Sequence, residues 1–166
     1  MHDLCNVCGR EHAVLRTDYG SNEPGPWLAL TPQERLTRGV LGPDNCIIDG
    51  EQFFLRGCVF VPIQSRDETF VWGLWAGLTR GNYQRIVDIW DDPHRDEEPD
   101  FAARLANALP LSIYPSTMNL LCRLQLRSPG LRPAITVVSD HPLREDQRSG
   151  ITVQRVLELE HLLMPA

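Results

Sequence analysis

Thr69-Phe70-Val71-Trp72-Gly73-Leu74-Trp75-Ala76-Gly77-Leu78 is the stretch that decides the fold. Ten residues rich in aromatic and β-branched types read as one strand. At a period of two, Phe70, Trp72, Leu74 and Ala76 share one face, and Val71, Gly73, Trp75 and Gly77 share the other. Large residues on both faces predict a central strand covered on both sides.

Working outward, Cys46-Ile47-Ile48, Gln52 to Arg56 and Cys58 to Ile63 read as strands that precede it in a meander. Asp49-Gly50 and Ser65-Arg66-Asp67 are the turn sites. Met118 to Arg127 and Ala134 to Val138 give two more strands around Ser128-Pro129-Gly130. Thr31-Pro32-Gln33-Glu34 starts a short helix with the marks of a capping box. Thr79 caps a helix over about Gly81 to Trp90. Phe101 to Leu109 reads as a short helix stopped by Pro110. A last helix begins near Thr152, with Val153, Val156, Leu157, Leu159, Leu163 and Met164 on its buried side. Tyr114-Pro115 suggests a cis peptide bond. The expectation is an α+β domain: a mostly antiparallel sheet of about six strands with helices packed against it.

The chain has 166 residues, enough for one domain with a core that needs no disulfides. We read residues 1–166 as a single domain, with 1–26 as a hook and loop attached to the body. Hydrophobic residues make up 42% and charged residues 23%, which excludes wholesale disorder. The net charge is −6 and no basic run exceeds two residues, so no phosphate-tracking surface for nucleic acid is expected. No apolar run approaches a membrane span and the first residues carry no leader pattern. Five cysteines, an odd number, suit reduced or metal-bound thiols, so the expected location is cytoplasmic.

The chemistry concentrates at the start. Cys5-Asn6-Val7-Cys8-Gly9 places two thiols at the spacing of a tight turn, with His12 four residues on. Cysteine and histidine are the preferred ligands of tetrahedral zinc, and the glycine permits the turn. The motif supplies at most three ligands, so a fourth must come from far along the chain. Cys46, beside Asp44-Asn45, is the expected distal thiol; Cys58 and His141 are the other candidates. A structural zinc holding the hook to the body follows. A redox pair is disfavoured, since nothing strand-like precedes Cys5.

Other residues carry weaker signals. Asp140-His141-Pro142-Leu143 follows a strand and reads either as a base or ligand or, preferably, as a turn in which Asp140 caps the next helix. No nucleophile elbow, phosphate loop or paired-histidine metalloprotease motif is present. The acidic stretch Asp91 to Asp100 reads as a solvated charge run. Arg56 in an apolar strand, Arg132 before Pro133, His141 and Arg148 form a candidate site for a small anion. The aromatics Trp72, Trp75, Trp90, Phe53, Phe54 and Tyr114 are expected in the core.

Several of these segments together resemble the bacterial Domain of Unknown Function 2199 family. They are Cys5-x-x-Cys8-Gly9-x-x-His12, Cys46-Ile47-Ile48-Asp49, Phe53-Phe54-Leu55-Arg56-Gly57, Val71 to Trp75 and Tyr114-Pro115-x-Thr117. Arg132-Pro133, Asp140 to Leu143 and Gln147-Arg148-x-Gly150-Ile151-Thr152 complete the set. The resemblance spans nearly the whole chain and implies no established activity. Where that pattern carries histidines after Leu120, this chain reads Leu121-Cys122-Arg123-Leu124-Gln125, which weakens a catalytic reading. Two functions follow. One is a binding or interaction module, its hook fixed by structural zinc, whose partner is a protein or small anionic ligand. The alternative is a metal-assisted hydrolase with an open zinc position and His141 or Asp140 relaying protons. Four protein ligands favour the first; three and a water favour the second.

Overall fold

Two long antiparallel strands, Gln52–Pro62 and Thr69–Leu78, organise everything else, paired from Phe53↔Leu78 to Pro62↔Thr69. The computed structural model of the chain describes residues 3–164. In chain order come β1 (Asp3–Leu4), β2 (Glu11–His12), β3 (Asp18–Gly20), α1 (Gly25–Leu28), α2 (Pro32–Arg38), β4 (Gly39–Leu41) and β5 (Asn45–Ile48). The long pair is β6 (Gln52–Pro62) and β7 (Thr69–Leu78). Then follow α3 (Arg80–Asp88), β8 (Phe101–Leu105), β9 (Leu121–Gln125), β10 (Ala134–Val137), α4 (Pro142–Ser149) and α5 (Val153–Leu163).

The class is α+β, but the sheet differs from the one expected. It has eight strands in the order β3-β7-β8-β9-β10-β6-β5-β4, and the β6–β7 pairing closes five of them into a barrel. It is also mixed: β3 runs parallel to β7, and β10 parallel to β6. Three physical reasons account for the difference. First, β3 and β4 are three residues each, too short for a periodicity to show. Second, Phe101 to Leu105 is a strand. Its Ala, Arg and Leu favour a helix locally, yet Phe101, Ala103 and Leu105 are buried while Ala102 and Arg104 are exposed, the alternation of a strand paired on both edges. Tertiary pairing overrides propensity there. Third, strands reached after long excursions can enter parallel, which a meander reading does not anticipate.

The inward residues of β6 through β10, among them Phe70, Trp72, Leu74, Leu124 and Ile135, form the main core. The outward face of β6 and β7 is also covered, because Phe54 and Trp75 pack with Trp27, Cys46, Ile48 and Ala106. Trp75 is therefore buried opposite Trp72, as its strand pattern predicts. Closure needs a close approach of β10 to β6. A Cβ on Gly57 would sit 2.8 Å from the Ile135 side chain, so glycine lets the strands meet. Their register pairing is brief, Ala134↔Cys58, and α4 fills the seam beyond it. The Gln147 amide there accepts from Val137 N–H and donates to the Ile135 and Phe60 carbonyls.

The helix starts agree with the sequence. Thr31 and Glu34 form the capping box of α2, Thr79 caps α3, and Thr152 caps α5. The cap of α4 differs: His141, not Asp140, accepts from the Leu143 N–H. On α5, Val156, Leu157 and Leu159 are buried, whereas Met164 is half exposed. No described peptide bond is cis, Tyr114-Pro115 included. The stretch after Asp91 is not merely solvated. Arg95 within it is buried, stacks on Trp90 and donates to the carbonyls of Trp90, Arg127, Ser128 and Leu131. Among the described residues no helix is long and apolar enough to cross a membrane.

Candidate metal centre

The hook is a two-rung hairpin, Asp3↔His12 and Leu4↔Glu11, closed by the turn that holds the cysteines. Cys5 N–H donates to Arg10 O at 2.9 Å and Gly9 N–H to Cys5 O at 2.8 Å. Gly9 has φ +69°, the left-handed conformation that the turn requires. Val7 N–H points at Cys5 Sγ at 3.4 Å. The turn thus folds backbone donors over one sulfur. Cys5 is buried and Cys8 exposed. Burial opposes ionisation of Cys5, but hydrogen bonds from the Cys8 and Val7 backbones, the Cys8 side chain and His161 outweigh it, and the net effect lowers its pKa.

The hook lies along α5. Gln154 and His161 are seven residues apart, two helical turns, and so share a face. The Gln154 amide accepts from Asn6 N–H at 3.0 Å and donates to Leu4 O at 2.7 Å. Two turns on, His161 Nε2 lies 3.4 Å from Cys5 Sγ. His12 Nε2 lies 3.4 Å from Cys8 Sγ. The ligand atoms of Cys5, Cys8, His12 and His161 all fall within 4.8 Å of one another. A tetrahedral zinc with thiolates at about 2.3 Å and imidazoles at about 2.0 Å sets sulfur–nitrogen edges of about 3.5 Å. Two edges already have that length. The longest needs to contract by about 1 Å, within side-chain reach.

The structure thus brings Cys5, Cys8 and His12 together and adds His161, which the sequence reading passed over. Cys46 is elsewhere. It is fully buried in the second core layer beside Phe54 and Trp75, where burial raises its pKa to about 11. Cys58 lies half buried on the outer face of β6, and burial holds its thiol above the ordinary range. Neither joins the cluster. His141 caps α4 through Nδ1, which must therefore carry the lone pair, while Nε2 faces Pro115 O at 3.1 Å. Both ring nitrogens are thereby used by the fold.

The four residues read as an anion site do not converge. Arg132 pairs with Asp44 at 3.0 Å and Arg56 donates to Asn22 at 3.1 Å. The two are close enough that burial and then the Arg132 charge lower the Arg56 pKa, against the pull of Asp44. Arg132 lines a cleft of about 430 Å³ with Cys58, Arg127 and Asp44. Arg148 is exposed on α4 near Glu145 and lines a different cleft.

A family model described as "Uncharacterized protein conserved in bacteria (DUF2199)" matches residues 4–151, and the chain belongs to that family. Comparison with curated proteins and with solved structures finds no match. The matched span contains Cys5, Cys8 and His12; His161 lies beyond it.

Proposed function

We propose that this member of the family is a small binding module whose N-terminal hook is fastened to α5 by a structural zinc ion held by Cys5, Cys8, His12 and His161. The observation that carries this reading is the convergence of four soft or borderline ligand atoms from two distant parts of the chain. Four protein ligands complete a tetrahedron and leave no position for an activated water, so the alternative of a metal-assisted hydrolase is disfavoured. His141, the residue that alternative would use as a relay, is committed to a helix cap and a carbonyl. For the ligand of the module we infer a small anion in the cleft where Arg127 and Arg132 lie beside Cys58, since three guanidinium groups line it, Arg95 among them, against one carboxylate, Asp44.

Metal analysis of the purified protein tests the centre. One zinc per chain is expected, lost in Cys8→Ser and in His161→Ala and kept in Cys46→Ser. A folded wild type that takes up no zinc at micromolar concentration refutes the proposal.

A further inference from the structure

One carboxylate oxygen beside the centre stands out. Glu160 Oε2 is shielded from solvent and has no hydrogen-bond partner among the described residues. A buried carboxylate oxygen left unpaired is costly, so its persistence asks for a donor. His12 faces this oxygen, with Nδ1 3.7 Å away while its Nε2 faces Cys8. The Tyr19 hydroxyl is also buried without a partner among the described residues. Tyr19 packs on Phe70 and Trp72 in the barrel core. Burial raises the pKa of its phenol, and the charge of Glu160 adds to that rise while Arg16 opposes it.

These facts have one economical account, which rests on the zinc reading above. We propose that Glu160 is the outer-shell anchor of the centre: its carboxylate accepts the Nδ1–H of His12 when Nε2 binds zinc, and Tyr19 is a second donor in its neighbourhood. A metal on Nε2 forces the ring proton onto Nδ1, and a ligating histidine nearly always donates that proton to a carboxylate, carbonyl or water. A movement of under about 1 Å brings Nδ1 and Oε2 into hydrogen-bond range. The carboxylate then fixes the ring and makes it a better ligand. Adjacent residues of α5 thus take different tasks, because one residue along a helix turns the side chain by about 100°. His161 reaches the metal, and Glu160 holds the other imidazole.

The test measures zinc affinity by competition with a chromophoric chelator, and cobalt(II) d–d spectra, for wild type, Glu160→Ala, Glu160→Gln and Glu158→Ala. Glu160→Ala is expected to keep one metal per chain and to bind zinc about 10- to 100-fold more weakly. Its cobalt band should shift and broaden as the His12 ring loses its fixed orientation. Glu160→Gln keeps an acceptor without the charge and should recover most of the band shape and part of the affinity. Glu158→Ala, on the same helix but paired with Arg155, should match wild type. Equal melting of the metal-free wild type and variants separates positioning from stability, and if Glu160→Ala does not fold, the Gln variant carries the comparison. Wild type that binds one zinc, with Glu160→Ala binding it as tightly, overturns this inference alone. A wild type that binds none overturns the zinc reading and this inference with it.

Discussion

Removing the metal should unfold the hook and leave the barrel intact. Of residues 4–14, only Cys5 is buried, so the hook has almost no apolar surface holding it down. Its own bonds are the short ladder, two turn bonds and the two bonds to Gln154. At about 1 kcal/mol net for each bond, and about 1 kcal/mol for burying Cys5, these contribute roughly 6 kcal/mol. Ordering the backbone of the nine residues from Leu4 to His12 costs about 9 kcal/mol at the low end of the usual range. Without zinc the hook is therefore short of stability by a few kcal/mol. A structural zinc contributes about 10 kcal/mol or more and reverses the sign. Hydrogen exchange with and without a strong chelator reads this directly. The amides of Cys5, Asn6 and Gly9 should lose at least about 100-fold in protection, while those of β6 and β7 stay within a few-fold. Equal protection of the hook in both states would refute the argument, as would parallel loss in the barrel.

Three further outcomes follow from the same packing. Replacing His161 with cysteine should retain one metal and strengthen the thiolate-to-cobalt charge-transfer band by about half, as two sulfurs become three; loss of metal in that variant would show that His161 is misplaced. Stability should fall in alkali. The buried thiols of Cys46 and Cys122 are pushed up to about 11 and about 12. Above about pH 9 the unfolded chain releases these protons and the folded one does not, so each thiol removes up to about 1.4 kcal/mol per pH unit until its folded value is reached. Urea midpoints measured from pH 8 to 10 should decline, and the double variant Cys46→Ala, Cys122→Ala should flatten the decline; an unchanged slope would contradict it. Arg95→Met should cost about 3 kcal/mol, because the carbonyls of Trp90 and Arg127 lose donors at 2.5 and 2.6 Å and the stack on Trp90 goes with them. A loss under about 1 kcal/mol in denaturant melts would show that water replaces the guanidinium there.

Much of the barrel could be read from the chain because its walls obey a period of two. Phe70 to Trp75 announces two covered faces, and both are covered. Helix starts were legible for a local reason: a threonine followed three residues later by a donor to its hydroxyl is complete within one turn. The segment Phe101 to Leu105 failed because its local preference and its tertiary pairing point in opposite directions. Closure was not legible either, since it depends on strands that meet only after the sheet has curved.

The same parity rule that reads the barrel rejects Cys46 as a ligand. Cys46 and Ile48 alternate on the buried side of β5, and Cys46 stands opposite Phe54 in the register. A thiol at that position belongs to the apolar layer, whatever its affinity for zinc. Selecting it for softness alone weighs ligand chemistry above geometry. His161 had the reverse profile. It sits on the polar side of α5, on the face of Gln154 and away from Val156 and Leu159, and that placement is equally compatible with a solvated surface. Nothing local separates the two fates. Cys5 and His161 are 156 residues apart, and they meet only because the bridge between Ile63 and Ile151 sets α5 on its path past the barrel. Gly150 permits that path, at φ +79° and with its missing Cβ aimed 2.8 Å from Pro62 O. A ligand set of this kind is a property of chain closure, so it becomes visible when the ends of the fold are placed and not before.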